Sequence, residues 1–189
     1  MKLKSIGICF FIGAILGGCN AFSSITGDEE TVTVSEEAAP MIEAVMKGTD
    51  GESLGTALLN ETEKGVSIAL KVEGLEPGEK AIHFHEKGSC EPPEFTSAGG
   101  HFNPEGKQHG FDNPEGFHAG DLPNLRVDED GTVDLELIVE AVTLKKGAKN
   151  SLLDEDGSAL VIHEGPDDYK TDPAGKSGKR IVCGEINGQ

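Results

Sequence analysis

Five of the chain's six histidines fall between His83 and Asp121. The window reads His83-Phe84-His85, then His101-Phe102-Asn103-Pro104, then His109, then His118-Ala119-Gly120-Asp121. The sixth, His163, ends the apolar run Ala159-Leu160-Val161-Ile162. A surface scatter would spread six histidines along 189 residues; gathered beside an aspartate, they look like metal ligands. Three of them, and the aspartate, lie between Lys87 and Asn124, a stretch rich in glycine and proline with no strand or helix periodicity. So long a loop in a compact domain needs something to order it. Bound metal would do so, which limits the folds open to the chain to those that bring these residues together.

The spacing carries chemistry. Ala81-Ile82-His83-Phe84-His85 alternates apolar and polar, so it reads as a strand with Ile82 and Phe84 on the core face. His83 and His85 then project from the other face, about 7 Å apart at Cα. An isolated His-x-His pair is more often a solvated strand face, but four further histidines make that reading poor here. Seven candidate ligands are present: His83, His85, His101, His109, His118, His163 and Asp121. One four-coordinate site leaves some of them unused, and two such sites need one donor more than seven residues give. An imidazole has two nitrogens, so one shared histidine closes the count. An all-nitrogen site suits copper, and imidazoles with a carboxylate suit zinc. The count does not say which histidine bridges.

The rest of the region from residue 41 on reads as one all-β domain. Strands are expected at Ile42–Lys47, Leu54–Leu59, Val66–Val72, Lys80–His85, Leu125–Val127, Thr132–Val139, Ala159–His163 and Arg180–Ile186, with no long segment of helical period. Turn signals separate them at Thr49-Asp50-Gly51, Glu76-Pro77-Gly78 and Asp128-Glu129-Asp130-Gly131. Eight short strands point to a sandwich or flattened barrel.

Five segments, in order, resemble the bacterial copper–zinc superoxide dismutases: His-Phe-His-Glu-Lys-Gly-Ser-Cys from His83, Ala-Gly-Gly-His-Phe-Asn-Pro from Ala98, His-Ala-Gly-Asp-Leu-Pro-Asn from His118, Val-Ile-His-Glu-Gly-Pro-Asp-Asp from Val161 and Arg-Ile-Val-Cys-Gly-Glu-Ile from Arg180. The resemblance covers residues 41–189. It implies an eight-stranded Greek-key flattened barrel with a long metal-binding loop. It also implies copper on His83, His85, His101 and His163, and zinc on His101, His109, His118 and Asp121, with His101 as the bridge. Superoxide would be the substrate, converted to dioxygen and hydrogen peroxide by Cu(II)/Cu(I) cycling, with His101 returning a proton. Asp167 matches an aspartate that hydrogen-bonds ligand histidines of both metals, and Arg180 matches an arginine of the substrate channel. Cys90 and Cys183 match a disulfide, which fits the cysteine count once Cys9 is assigned to a cleaved leader and Cys19 to a lipid site. The segment Glu164–Lys179 departs from the animal enzymes: it is shorter, and Ala174 stands where a channel threonine is expected. Lys176 and Lys179 are candidate helpers of Arg180. The alternative is a non-catalytic lipoprotein that stores or delivers copper.

The first forty residues explain where such a domain would work. Met1-Lys2-Leu3-Lys4 is a basic start, and Ser5–Leu16 is an apolar core too short and glycine-rich for a membrane span. Leu16-Gly17-Gly18-Cys19 resembles a bacterial lipobox, so residues 1–18 read as a lipoprotein signal peptide and Cys19 as the lipidation site. Residues 19–40, rich in Ser, Thr and Glu, read as a flexible acidic tether. The chain is then exported and lipid-anchored at the cell membrane or envelope, facing outside the cytoplasm. Loss of Lys2 and Lys4 with the leader moves the formal charge from −18 to −20, which disfavours nucleic acid and anionic lipid as surface partners. Cys19→Ser should release the protein from sedimented membranes with its activity unchanged. Quantitative retention in the membrane pellet would mean that another element anchors it.

Overall fold

Period-two alternation gives the chain its strands, and a computed structural model describes them for residues 41–188. The expected signal peptide, Cys19 and the tether lie outside the described residues. The strands are β1 (Met41–Gly48), β2 (Ser53–Thr62), β3 (Gly65–Val72), β4 (Gly78–Lys80), β5 (Ile82–His85), β6 (Leu125–Val127), β7 (Val133–Val139), β8 (Ser158–His163) and β9 (Arg180–Ile186). Among the described residues the one helical element is a 3₁₀ turn at Thr96–Ala98. The all-β class expected from the sequence is therefore observed.

Seven strands form one antiparallel sheet in the order β5-β8-β9-β1-β2-β3-β7, and β4 pairs with β6. The neighbours β3–β7 and β5–β8 are distant in sequence, which is the Greek-key pattern. β4 runs into β5 through Ala81, and β6 runs into β7 through a turn closed by Gly131 N donating to Asp128 O. The β4–β6 ribbon thus joins the two edges of the sheet and curls it into a flattened barrel. All eight expected strands are present, but the one expected at Lys80–His85 is interrupted. Ala81 N donates to Gly165 O and Ala81 O accepts from His163 N, so the chain leaves its pairing with β6 there and takes up β8. Register against two different partners, not propensity, sets that break.

The barrel is filled by the inward residues of each strand, among them Met46, Leu59, Ile68, Leu70, Phe84, Leu160 and Ile162, all buried. β8 is buried on both faces. Its other face, Ala159 and Val161, packs with Cys90, Phe95, Ala98 and Cys183 in a second cluster. That double burial explains why Ala159–Ile162 is an unbroken apolar run and not an alternating one.

The long loop is stitched to the free edge of β5. Phe84 N donates to Gly120 O at 2.9 Å, Phe102 N donates to Phe84 O at 2.8 Å, and Gly120 N donates to Phe102 O at 2.8 Å. A Cβ on Gly120 would stand 2.5 Å from Phe84 O and 3.0 Å from the Phe102 Cβ, so only glycine lets three backbone segments meet. The start of the loop is fixed by the disulfide Cys90–Cys183, which joins it to β9 across 93 positions. Closing so long a loop contributes about 2–4 kcal/mol. Cys183→Ser should lower the melting temperature of the oxidised protein by roughly 4–16 °C, at about 2–4 °C per kcal/mol for a chain of this length. An unchanged melting temperature would show the bond to be idle.

Candidate metal centre

His83 and His85 leave β5 on the face opposite Ile82 and Phe84, as the alternation requires, and both are buried. His163 comes from the end of β8, which pairs with β5, and the loop delivers His101. Each ring is held through one nitrogen. His83 Nε2 donates to Asp167 Oδ2 at 2.7 Å, and His85 Nδ1 donates to Gly99 O at 3.0 Å. His101 Nδ1 lies 2.9 Å from Asp121 Oδ1, and His163 Nδ1 lies 3.1 Å from Ser177 Oγ. The remaining nitrogens, His83 Nδ1, His85 Nε2, His101 Nε2 and His163 Nε2, are buried without a hydrogen-bond partner. The four residues place ligand atoms within 4.8 Å of one another. A buried polar atom left unpaired costs about 1–3 kcal/mol, so four around one point mark a binding site. Four neutral imidazole nitrogens are a donor set that copper accepts.

The second set lies behind His101. Asp121 Oδ1 is 2.9 Å from His101 Nδ1, 2.9 Å from His109 Nδ1 and 3.3 Å from His118 Nδ1, and the His101 and His118 Nδ1 atoms are 3.5 Å apart. Four donors about 2.0–2.1 Å from a tetrahedral zinc would stand roughly 3.3 Å apart. The set fits zinc in both chemistry and spacing. Asp121 Oδ2 meanwhile accepts from the backbone N–H groups of Gly110 and His118, which fixes its orientation. Every histidine singled out in the sequence is thus brought to one of these two sets, and His101 belongs to both.

Asp167 links the sets from outside. Its Oδ2 faces His83 Nε2 and its Oδ1 faces His109 Nε2 at 3.0 Å. Asn124 clamps it, donating from Nδ2 to Asp167 O and accepting at Oδ1 from Asp167 N. Gly175 passes over this pair with φ +63°, and a Cβ there would overlap the Asp167 carboxylate and stand 2.8 Å from His109 Nε2. In the metal-free protein burial pushes His101 down to about 4 and His163 down to about 3, and carries His85 well below its ordinary value. These rings are neutral, with a lone pair to offer. Burial would also lower His109, but the carboxylates of Asp121 and Asp167 at its two nitrogens hold it up at about 9. Burial opposes the ionised form of both carboxylates, yet hydrogen bonds from His101, His109 and His118 keep Asp121 far below the usual carboxylate range. Those from His109 and His83 do the same for Asp167.

A cleft of about 560 Å³ opens onto His85, His101 and His163. Arg180 stands in its wall, half-buried, with Nη1 donating to Phe95 O and Nη2 to Gly99 O, each at 2.6 Å. Ala174 lines the cleft as expected, but Lys176 and Lys179 are not part of the lining. Lys176 is exposed and faces Asp168 at 3.5 Å. Lys107, not singled out in the sequence, does line the cleft, and it pairs with Glu105 at 2.9 Å. Its place beside the site depends on how the loop folds back, and a lysine four residues after Asn103 gives no sequence signal of that. Ser177 carries no sequence signal either: a serine in a turn is unremarkable, and only the fold sets its hydroxyl against the His163 ring.

The family model for copper/zinc superoxide dismutase (SODC) matches residues 53–186. The chain belongs to the copper/zinc superoxide dismutase family. Its relatives include superoxide dismutase [Cu-Zn] 2 of Aquifex aeolicus, 58% identical over 144 residues, which cover 76% of this chain and 84% of that one. Among solved structures, a double mutant of a SOD-like protein from Bacillus subtilis is 50% identical with TM-score 0.76, covering 77% of this chain and 97% of the other. The Cu/Zn superoxide dismutase from Brucella abortus is 32% identical with TM-score 0.64, covering 78% and 99%. Copper and zinc are the cofactors of the family, and the two ligand sets described here suit them. In this superoxide dismutase Gly175→Ala should push apart the Asp167–His109 contact. A loss of about 1–3 kcal/mol, the usual cost of overpacking, is expected in thermal melts of the metal-free protein. Wild-type melting would contradict the crowding at Gly175.

Proposed function

We infer that His83, His85, His101 and His163 hold copper, that His101, His109, His118 and Asp121 hold zinc, and that the enzyme disproportionates superoxide. Two superoxide anions and two protons give one dioxygen and one hydrogen peroxide. The observation that carries this reading is His101, whose Nδ1 faces one ligand set and whose unpartnered Nε2 faces the other. Bound copper supplies one-electron chemistry between Cu(II) and Cu(I), and bound zinc supplies a fixed positive charge beside His101 Nδ1.

The chain's own residues divide the remaining work. His83, His85 and His163 are each tied through their second nitrogen to Asp167, Gly99 O and Ser177 respectively, so their rings cannot turn away. His101 differs, because its second nitrogen belongs to the zinc set and not to a separate hydrogen-bond acceptor. Its Nε2 faces the other three unpartnered imidazole nitrogens and is the atom suited to take a proton and return it to the reduced product. Arg180, anchored on two carbonyls, presents a fixed cation to the cleft and attracts the substrate anion. That local charge works against a chain whose formal net charge is −18. Screening over about 8 Å at physiological ionic strength favours the near cation over distant carboxylates. Storage or delivery of copper without catalysis accounts for the ligands but leaves the anchored Arg180 at the cleft without a purpose, and is not favoured.

The Cys90–Cys183 disulfide fits an oxidising, extracytoplasmic setting, and diacylglyceride on Cys19 is the proposed anchor there. His101→Ala should deplete both metals and lower superoxide-suppressing activity by roughly 100-fold or more. His118→Ala should lose zinc first and keep copper. Metal analysis beside a superoxide-driven dye-reduction assay reads both, and loss of a single, different metal in each variant would contradict the shared ligand.

A further inference from the structure

One hydrogen bond to the four-histidine set comes from neither a carboxylate nor a backbone carbonyl alone. Ser177 is buried, and its Oγ donates to Ala174 O at 2.9 Å. The hydroxyl has a single hydrogen, so towards His163 Nδ1, 3.1 Å away, it can only accept. The other partner near that nitrogen, Gly178 O at 3.4 Å, is also an acceptor. Both neighbours therefore require a hydrogen on Nδ1, which leaves the lone pair on Nε2, the nitrogen that faces the other three free imidazole nitrogens. The serine is itself framed by backbone: Ser177 N donates to Ala174 O, and Ser177 O accepts from Gly165 N, two residues after His163.

We propose that Ser177 is a positioning residue for copper: its hydroxyl holds His163 in the Nδ1–H tautomer and couples the ring to the cleft wall at Ala174. The proposal rests on the copper assignment made above. An outer hydrogen bond of this kind orients the ligand and raises its basicity. Because the same hydroxyl hydrogen-bonds Ala174 O, and Ala174 lines the cleft, a displacement of that wall changes the bond to the ligand. The coupling is made by one oxygen atom. Gly178 O alone, at its longer distance, would leave the ring less firmly held.

Ser177→Ala should weaken copper(II) binding about 10-fold, since loss of such outer partners usually costs 10–100-fold in affinity. The copper(II) EPR spectrum should shift as well, and Ser177→Thr should restore both. Affinity is read by chelator competition on the zinc-loaded protein. Unchanged affinity and an unchanged spectrum in Ser177→Ala would overturn the proposal. His163→Ala, measured alongside, separates the two levels: if it leaves the copper spectrum and stoichiometry untouched, the copper assignment itself fails. Should Ser177→Ala not fold, nitrogen-15 spectra of the wild-type, zinc-loaded and copper-free protein decide the matter. A proton on His163 Nδ1 is expected; a proton on Nε2 would overturn the proposal.

Discussion

An imidazole nitrogen buried without a partner is costly, and this protein gathers four of them at one place: His83 Nδ1, His85 Nε2, His101 Nε2 and His163 Nε2. At about 1–3 kcal/mol apiece, such a cluster would weigh heavily on a domain whose whole stability is of order 5–15 kcal/mol. Metal coordination turns the liability into a bond. Much of the remaining architecture can be understood as the means of keeping those lone pairs aimed at one point. Two adjacent antiparallel strands, β5 and β8, supply three of the rings from a rigid sheet, and the outer nitrogen of each is tied to a fixed acceptor.

The fourth ring is the difficult one, since His101 comes from a loop with almost no regular structure. Three devices hold that loop. The disulfide Cys90–Cys183 fixes its start, backbone bonds through Phe102 and Gly120 fix its middle to β5, and the His101–His109–His118–Asp121 set gathers the rest. Zinc at that set would thus be structural and electrostatic at once. Asp167 then makes the two sets answer to each other, because a shift of His83 is felt at His109 through a single carboxylate. Arg180 shares the Gly99 carbonyl with His85, so the cation at the cleft and a ligand ring rest on the same backbone atom.

Much of this was legible in the sequence because the signals are local. Period-two alternation put Ile82 and Phe84 inward and His83 and His85 outward, and the ligand count demanded a shared histidine. What was not legible depends on contacts between distant segments. The break at Ala81 arises because its neighbours pair with β6 on one side and β8 on the other. Lys107 lines the cleft while Lys176 and Lys179 do not, and charge alone could not rank the three. Ser177 acquired its role from a turn that brings position 177 against position 163. The resemblance carried Asp167, whose part in the site no spacing rule would have revealed.

The proposed arrangement has one imidazole, that of His101, serving two metals of different kinds. A crystal structure of the copper- and zinc-loaded protein, with anomalous data collected at both absorption edges, tests it most directly. A copper peak bounded by His83, His85, His101 and His163 and a zinc peak bounded by His101, His109, His118 and Asp121 are expected, with the His101 ring between them. A single metal position, or two positions that do not share His101, would contradict it.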